Sequence, residues 1–123
     1  MDFNPIAILE HLLQKEPGYR NAHFVRASRD FWEPDWTYEQ VEAIETEFAA
    51  EFRSIAAKIE TMWGKPDFIG HRDNSEFPEF YTVEELCYWR KGNVLAMVWW
   101  EHQEKEVPVL LGLGVFTPEE LRE

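Results

Sequence analysis

The sequence predicts an α+β fold: an antiparallel sheet of three to five strands packed against one long amphipathic helix and a shorter N-terminal helix. Three observations carry this expectation. Apolar residues recur at intervals of three and four over residues 41–62. Three apolar runs separated by turn residues follow between residues 81 and 116. The chain has 123 residues and is 45% hydrophobic, enough for one core and too little for two. A single domain over 1–123 is therefore expected.

The elements follow in order. Asn4-Pro5 offers an N-cap side chain and then proline at the first helical position. Ile6, Ile8, Leu9, Leu12 and Leu13 keep helical spacing, which predicts a helix over 5–15 stopped by Pro17-Gly18. Residues 23–26 form a short strand candidate, and residues 31–36 read as an aromatic loop. Thr37 with Gln40 three residues on makes a capping box. The long helix it opens carries Val41, Ile44, Phe48, Phe52, Ile55, Ile59 and Met62 as one apolar stripe, ended by Gly64 and Pro66.

On that helix Ala43, Thr46, Ala50, Ser54, Ala57 and Thr61 form a line of small residues, flanked by Glu42, Glu45, Glu47 and Glu51. Alanine there needs no reason beyond its helix propensity. Alternatively, the first helix or a second copy of the chain packs on the line, a homodimer through the Ala43/Ala50/Ala57 stripe. Strands are expected over 81–90, 94–103 and 107–116, with turns at Lys91-Gly92-Asn93 and Glu104-Lys105-Glu106. The last two are apolar almost throughout, so both faces of the sheet are covered. Gly112 and Gly114 share a face and leave room for Trp99 or Trp100. Pro108 marks an edge or a strand start, and Thr117-Pro118-Glu119-Glu120 a short terminal helix or a frayed tail.

Charge narrows the function classes. There are 24 acids against 12 bases, a net charge of -12 at pH 7. A nucleic-acid backbone calls for clustered Lys and Arg, so no nucleic-acid partner is expected. Cys87 is the single cysteine, sits among Leu86, Tyr88 and Trp89, and reads as a buried, inert thiol. The first residues carry no basic stretch ahead of an apolar segment, and the longest apolar runs are too short for a bilayer. Cytoplasmic residence without membrane association is the simplest expectation.

Catalytic signatures are missing from the sequence. It has no glycine-rich phosphate loop, no Gly-x-Ser-x-Gly elbow, no His-Glu-x-x-His helix and no paired-cysteine site. No catalytic residue, metal ligand or cofactor is assigned. Two weak constellations stand out. Gly70-His71-Arg72-Asp73-Asn74 holds a base and an acid but reads as a surface turn. Trp99-Trp100-Glu101-His102, with Glu104 and Glu106 beyond, could ligate a divalent ion. The plainer reading is a hairpin end with aromatics in the core and charges in water. Alternation puts Trp100 with His102 on one face and Trp99 with Glu101 on the other.

The remaining feature lies before the long helix. Phe31, Trp32, Trp36 and Tyr38 are interleaved with Asp30, Glu33, Asp35 and Glu39, and residues 30–51 hold eight acids and no Lys or Arg. Aromatic anchors ringed by charge are typical of protein-recognition patches. The partner-binding candidates are Asp30, Trp32, Glu33, Asp35, Trp36, Glu39 and Glu42. The competing account has the aromatics covering the end of the core. In this acid-aromatic stretch, and in the sheet segment 94–101, the chain resembles the small acidic immunity proteins of bacterial toxin systems. The likeness is of general character and transfers no functional residue. It implies a non-catalytic protein that neutralises a basic protein partner, such as a cognate toxin. The alternative is a small-molecule-binding protein or enzyme with a pocket between sheet and helices, lined by the strand glycines.

Overall fold

A computed structural model describes residues 4–29, 31, 36–71, 83–102 and 107–122. It shows the expected α+β architecture. Helix α1 covers Pro5–Leu12, and helix α2 covers Tyr38–Trp63. The five strands are β1 (His23–Ala27), β2 (Phe68–His71), β3 (Val83–Lys91), β4 (Val94–Glu101) and β5 (Leu110–Phe116). Every pairing is antiparallel, and the strand order is β1-β5-β4-β3-β2. Short 3-10 helices at Tyr19–Asn21 and Pro118–Arg122 complete the described chain.

The helix starts are those the sequence announces. Asn4 accepts a bond from the Ala7 amide at 3.1 Å ahead of Pro5. At Thr37 both bonds of the capping box form: Gln40 N–H to Thr37 Oγ1 at 3.2 Å, and Thr37 N–H to Gln40 Oε1 at 2.8 Å. Helix α1 ends at Leu12 rather than at 15. Gln14 and Lys15 donate to the carbonyls of His11 and Leu12, three residues back, so the last turn tightens ahead of Pro17. Helix α2 closes at Gly64, whose φ of +83° suits glycine and whose N–H reaches the Glu60 carbonyl.

Met62 is a correction, because it is 70% exposed rather than part of the core. The buried face of α2 includes Ala49 and Ala56 besides Val41, Phe48, Phe52, Ile55 and Ile59. That face therefore centres on the alanine side of the stripe. Ile44 and Met62 lie roughly 60° to the other side of Val41 at 100° per residue, on its margin. A second correction concerns residues 70–74, expected as a turn. Gly70 and His71 belong to the edge strand β2, paired with Leu86 and Glu85 of β3. Strand β5 starts after Pro108 and lies inside the sheet, so the proline marks a strand start and not an edge.

The sheet is covered on both sides, as the unbroken apolar runs require. Strands β4 and β5 are buried along nearly their whole length. One face packs against the helices: Leu9, Phe48, Phe52 and Ile59 meet Cys87, Trp89, Val98 and Leu111. The other face holds Val83, Leu86, Leu95, Met97, Trp99 and Phe116. Trp99 needs the space that Gly112, its register partner on β5, leaves open. A Cβ at Gly112 would lie 2.7 Å from the Trp99 ring.

Candidate functional site

The two adjacent tryptophans of β4 point to opposite faces, and each buried indole N–H must find an acceptor. Each finds a carboxylate on its own face. Trp99 Nε1 donates to Glu101 Oε1 at 2.8 Å, and Tyr19 Oη donates to the same oxygen at 3.2 Å. Trp100 Nε1 donates to Glu85 Oε1 at 3.0 Å, from the residue opposite it on β3. Arg53 of α2 binds both Glu85 oxygens at 3.1 and 3.3 Å. Glu101 is 1% exposed, which overturns the expectation of solvated charges at this hairpin end. These carboxylates are structural acceptors. Burial, the charge of Glu101 and the hydrogen bond to it push the Tyr19 hydroxyl up to about 12.

His102 is committed in the same way. Its Nδ1 lies 2.6 Å from Glu45 Oε2 on α2, and its Nε2 donates to the Val107 carbonyl at 2.9 Å. Phe31 packs edge-on against the ring at 5.7 Å. Both nitrogens are thus taken by protein oxygens, which leaves neither aimed at an ion. Glu104 and Glu106, the other suggested ligands, lie outside the described residues. So do Arg72, Asp73 and Asn74 beside His71.

The acidic stretch is less uniform in space than in sequence. Arg26 of β1 enters it, reaching Glu47 at 3.2 Å and Glu51 at 2.8 Å while its guanidinium lies over the Phe48 ring. Glu45 is held by His102. Glu39 and Glu42 are exposed and form no ion pair among the described residues. Trp36 is half-buried, 4.9 Å from Phe31 in a T-shaped contact, with the Arg29 guanidinium 5.0 Å from its ring. Phe31 is buried against the core. Asp30, Trp32, Glu33 and Asp35 lie outside the described residues. The aromatic that stands clear is Tyr38, 70% exposed between Trp36 and Glu39.

The chain matches no protein-family model, no curated protein and no solved structure. What the site can do therefore rests on its own geometry.

The small-residue line of α2 is exposed from Ala43 to Thr61, and α1 does not cover it. Thr46 and Thr61 turn their hydroxyls back to the carbonyls of Glu42 and Ala57. The outward face thus joins small side chains to the exposed acids of the first turns. No helix among the described residues is long and apolar enough to cross a membrane.

Between sheet and helices the space is filled by core side chains, and the glycines of β5 face the rings of Trp99 and Phe116 rather than a cavity. A groove lies elsewhere, between α1 and residues 20–23, lined by Ala7, Ile8, His11, Leu12, Lys15, Arg20, Asn21, Ala22 and His23. Its basic side chains carry no sequence signature, because the turn at Pro17-Gly18 separates the two walls. Only the His11–Lys15 interval of four was available as a hint.

Proposed function

We propose that this is a non-catalytic binding protein whose α2 face, with the loop before it, recognises and neutralises a basic protein partner such as a cognate toxin. The observation that carries the reading is the start of α2. Glu39 and Glu42 are exposed there and form no ion pair among the described residues, beside the exposed ring of Tyr38. Acids in the first turns also favour the helix through its dipole, which accounts for their presence in part. The dipole does not account for an exposed tyrosine among them, nor for a line of small residues alongside. An aromatic anchor with free carboxylates suits a surface rich in Lys and Arg, where charge speeds the encounter and the ring supplies contact. Inhibition would follow from blockade of the partner's basic site.

The test takes any basic protein captured by the tagged chain or encoded beside its gene as the candidate partner, and measures its affinity by titration calorimetry between 50 and 300 mM KCl. Affinity is expected to fall as salt rises and to weaken at least about tenfold in a Tyr38→Ala, Glu39→Gln, Glu42→Gln variant. No heat of binding at 50 mM KCl, or binding indifferent to the triple variant, ends the reading. The same face has room for a second copy of the chain. Light scattering at micromolar concentration distinguishes the two, because a mass of 14.7 kDa leaves the face to a foreign partner.

A further inference from the structure

The groove between α1 and residues 20–23 is a cationic island on a chain with twice as many acids as bases. His11 of α1 and Lys15, three residues past its end, project from one wall, and Arg20 and His23 from the other. Elsewhere Arg26 holds Glu47 and Glu51, Arg53 holds Glu85, and Lys91 lies 4.0 Å from the Trp63 ring, while Lys58, Lys65 and Arg90 stand singly on the surface without an ion pair among the described residues. Among the described residues Lys15 and Arg20 make no ion pair, and none of those lining the groove carries a carboxylate. Isolated surface lysines and arginines are ordinarily just solvated. Convergence of four basic side chains from two elements on one concavity, in so acidic a chain, is a different matter.

The cavity measures about 560 Å³, within the range of small-ligand sites. Ile8 and Leu12 give it an apolar floor, and the Asn21 side chain is tied to the Glu16 carbonyl at 2.7 Å, which fixes that wall. A guanidinium, an ammonium and two imidazoles offer many donors and few acceptors, the complement of a dianionic oxyanion. The space beyond them suits an organic remainder. We propose that this groove binds a small phosphate monoester, its phosphate held by Lys15 and Arg20 between His11 and His23, its organic part lying on Ile8 and Leu12.

A long polyanion would run onto the surrounding negative surface, whereas a small dianion feels chiefly the charges within about one Debye length, ~8 Å. The site uses no residue of the acidic α2 face, so it stands or falls independently of the partner reading.

Amide NMR titration of the full chain at constant ionic strength tests it, with glycerol 3-phosphate and adenosine 5′-monophosphate as probes and glycerol and adenosine as controls. Shifts are expected to cluster at residues 7–15 and 20–23, with saturation for at least one monoester and none for the controls. A Lys15→Gln, Arg20→Gln variant should weaken binding at least about tenfold and keep the melting temperature, since both side chains are exposed. No shift with either monoester at millimolar concentration overturns the proposal. So does equal binding by the double variant, or equal binding of the unphosphorylated controls.

Discussion

Cys87 shows how far a side chain's chemistry is set by where its strand places it. It faces the helices from β3 and is fully buried; burial first, and the nearby charge of Glu60 second, push its thiol from 9.0 up to about 12. At pH 8 the native protein should therefore resist iodoacetamide and react only on unfolding, which mass spectrometry of the alkylated chain will read. The pH dependence has a definite sign. A raised native value means that the folded state keeps its proton where the unfolded state has lost it. Stability is whole below pH 9 and falls as pH rises toward 12, at up to about 1.4 kcal/mol per pH unit. Tyr19, also raised to about 12, adds to the fall above pH 10, in smaller measure because it is partly exposed. Urea midpoints of Cys87→Ala against the parent between pH 8 and 11 should converge if the thiol carries its share. Gly112 makes a second point at this scale. A methyl group there would press on the buried Trp99 ring, so Gly112→Ala should cost about 1–3 kcal/mol in urea unfolding.

Among the elements, α2 is the one whose local chemistry and packing agree most fully, the exposed Met62 of its last turn apart. Its capping box is complete, so Thr37→Ala should remove about 1 kcal/mol, within a span of 0.5–2, as read by thermal or urea unfolding. A change below the error of that measurement would mean that core packing alone holds the first turn. The helix was legible because a period near 3.6 and a capping box are local signals. Strands β3, β4 and β5 were legible through apolar runs and the Gly92 turn. Strand β2 was not, because Phe68, Ile69, Gly70 and His71 neither alternate cleanly nor form a run, and an edge position asks little of side chains. The buried glutamates were missed for a related reason. A carboxylate beside a tryptophan looks solvated in sequence until the register shows that Glu85 lies opposite Trp100. Arg26 likewise enters the acidic face from β1, 21 and 25 positions before the acids it neutralises.

For the whole molecule the excess of 12 acids is the dominant electrostatic fact, and the structure decides how it is felt. Ion pairs such as Arg26–Glu47 and Arg26–Glu51 are partly exposed, worth only about 0–1 kcal/mol each, and weaken as salt is added. Repulsion among the unpaired acids is spread over the surface and is relieved by the same salt. With two acids for every base, relief of repulsion should outweigh loss of the pairs. The urea midpoint at pH 7 should therefore rise between 20 and 500 mM KCl, a salt chosen because it screens without strongly altering apolar solubility. A Glu39→Gln, Glu42→Gln variant should start from a higher midpoint at low salt than its parent and gain less from KCl, despite weakening the helix-dipole term. The opposite order, a variant less stable at 20 mM KCl, would mean that these two acids serve the helix more than they burden the fold. They would then need no binding partner to explain them.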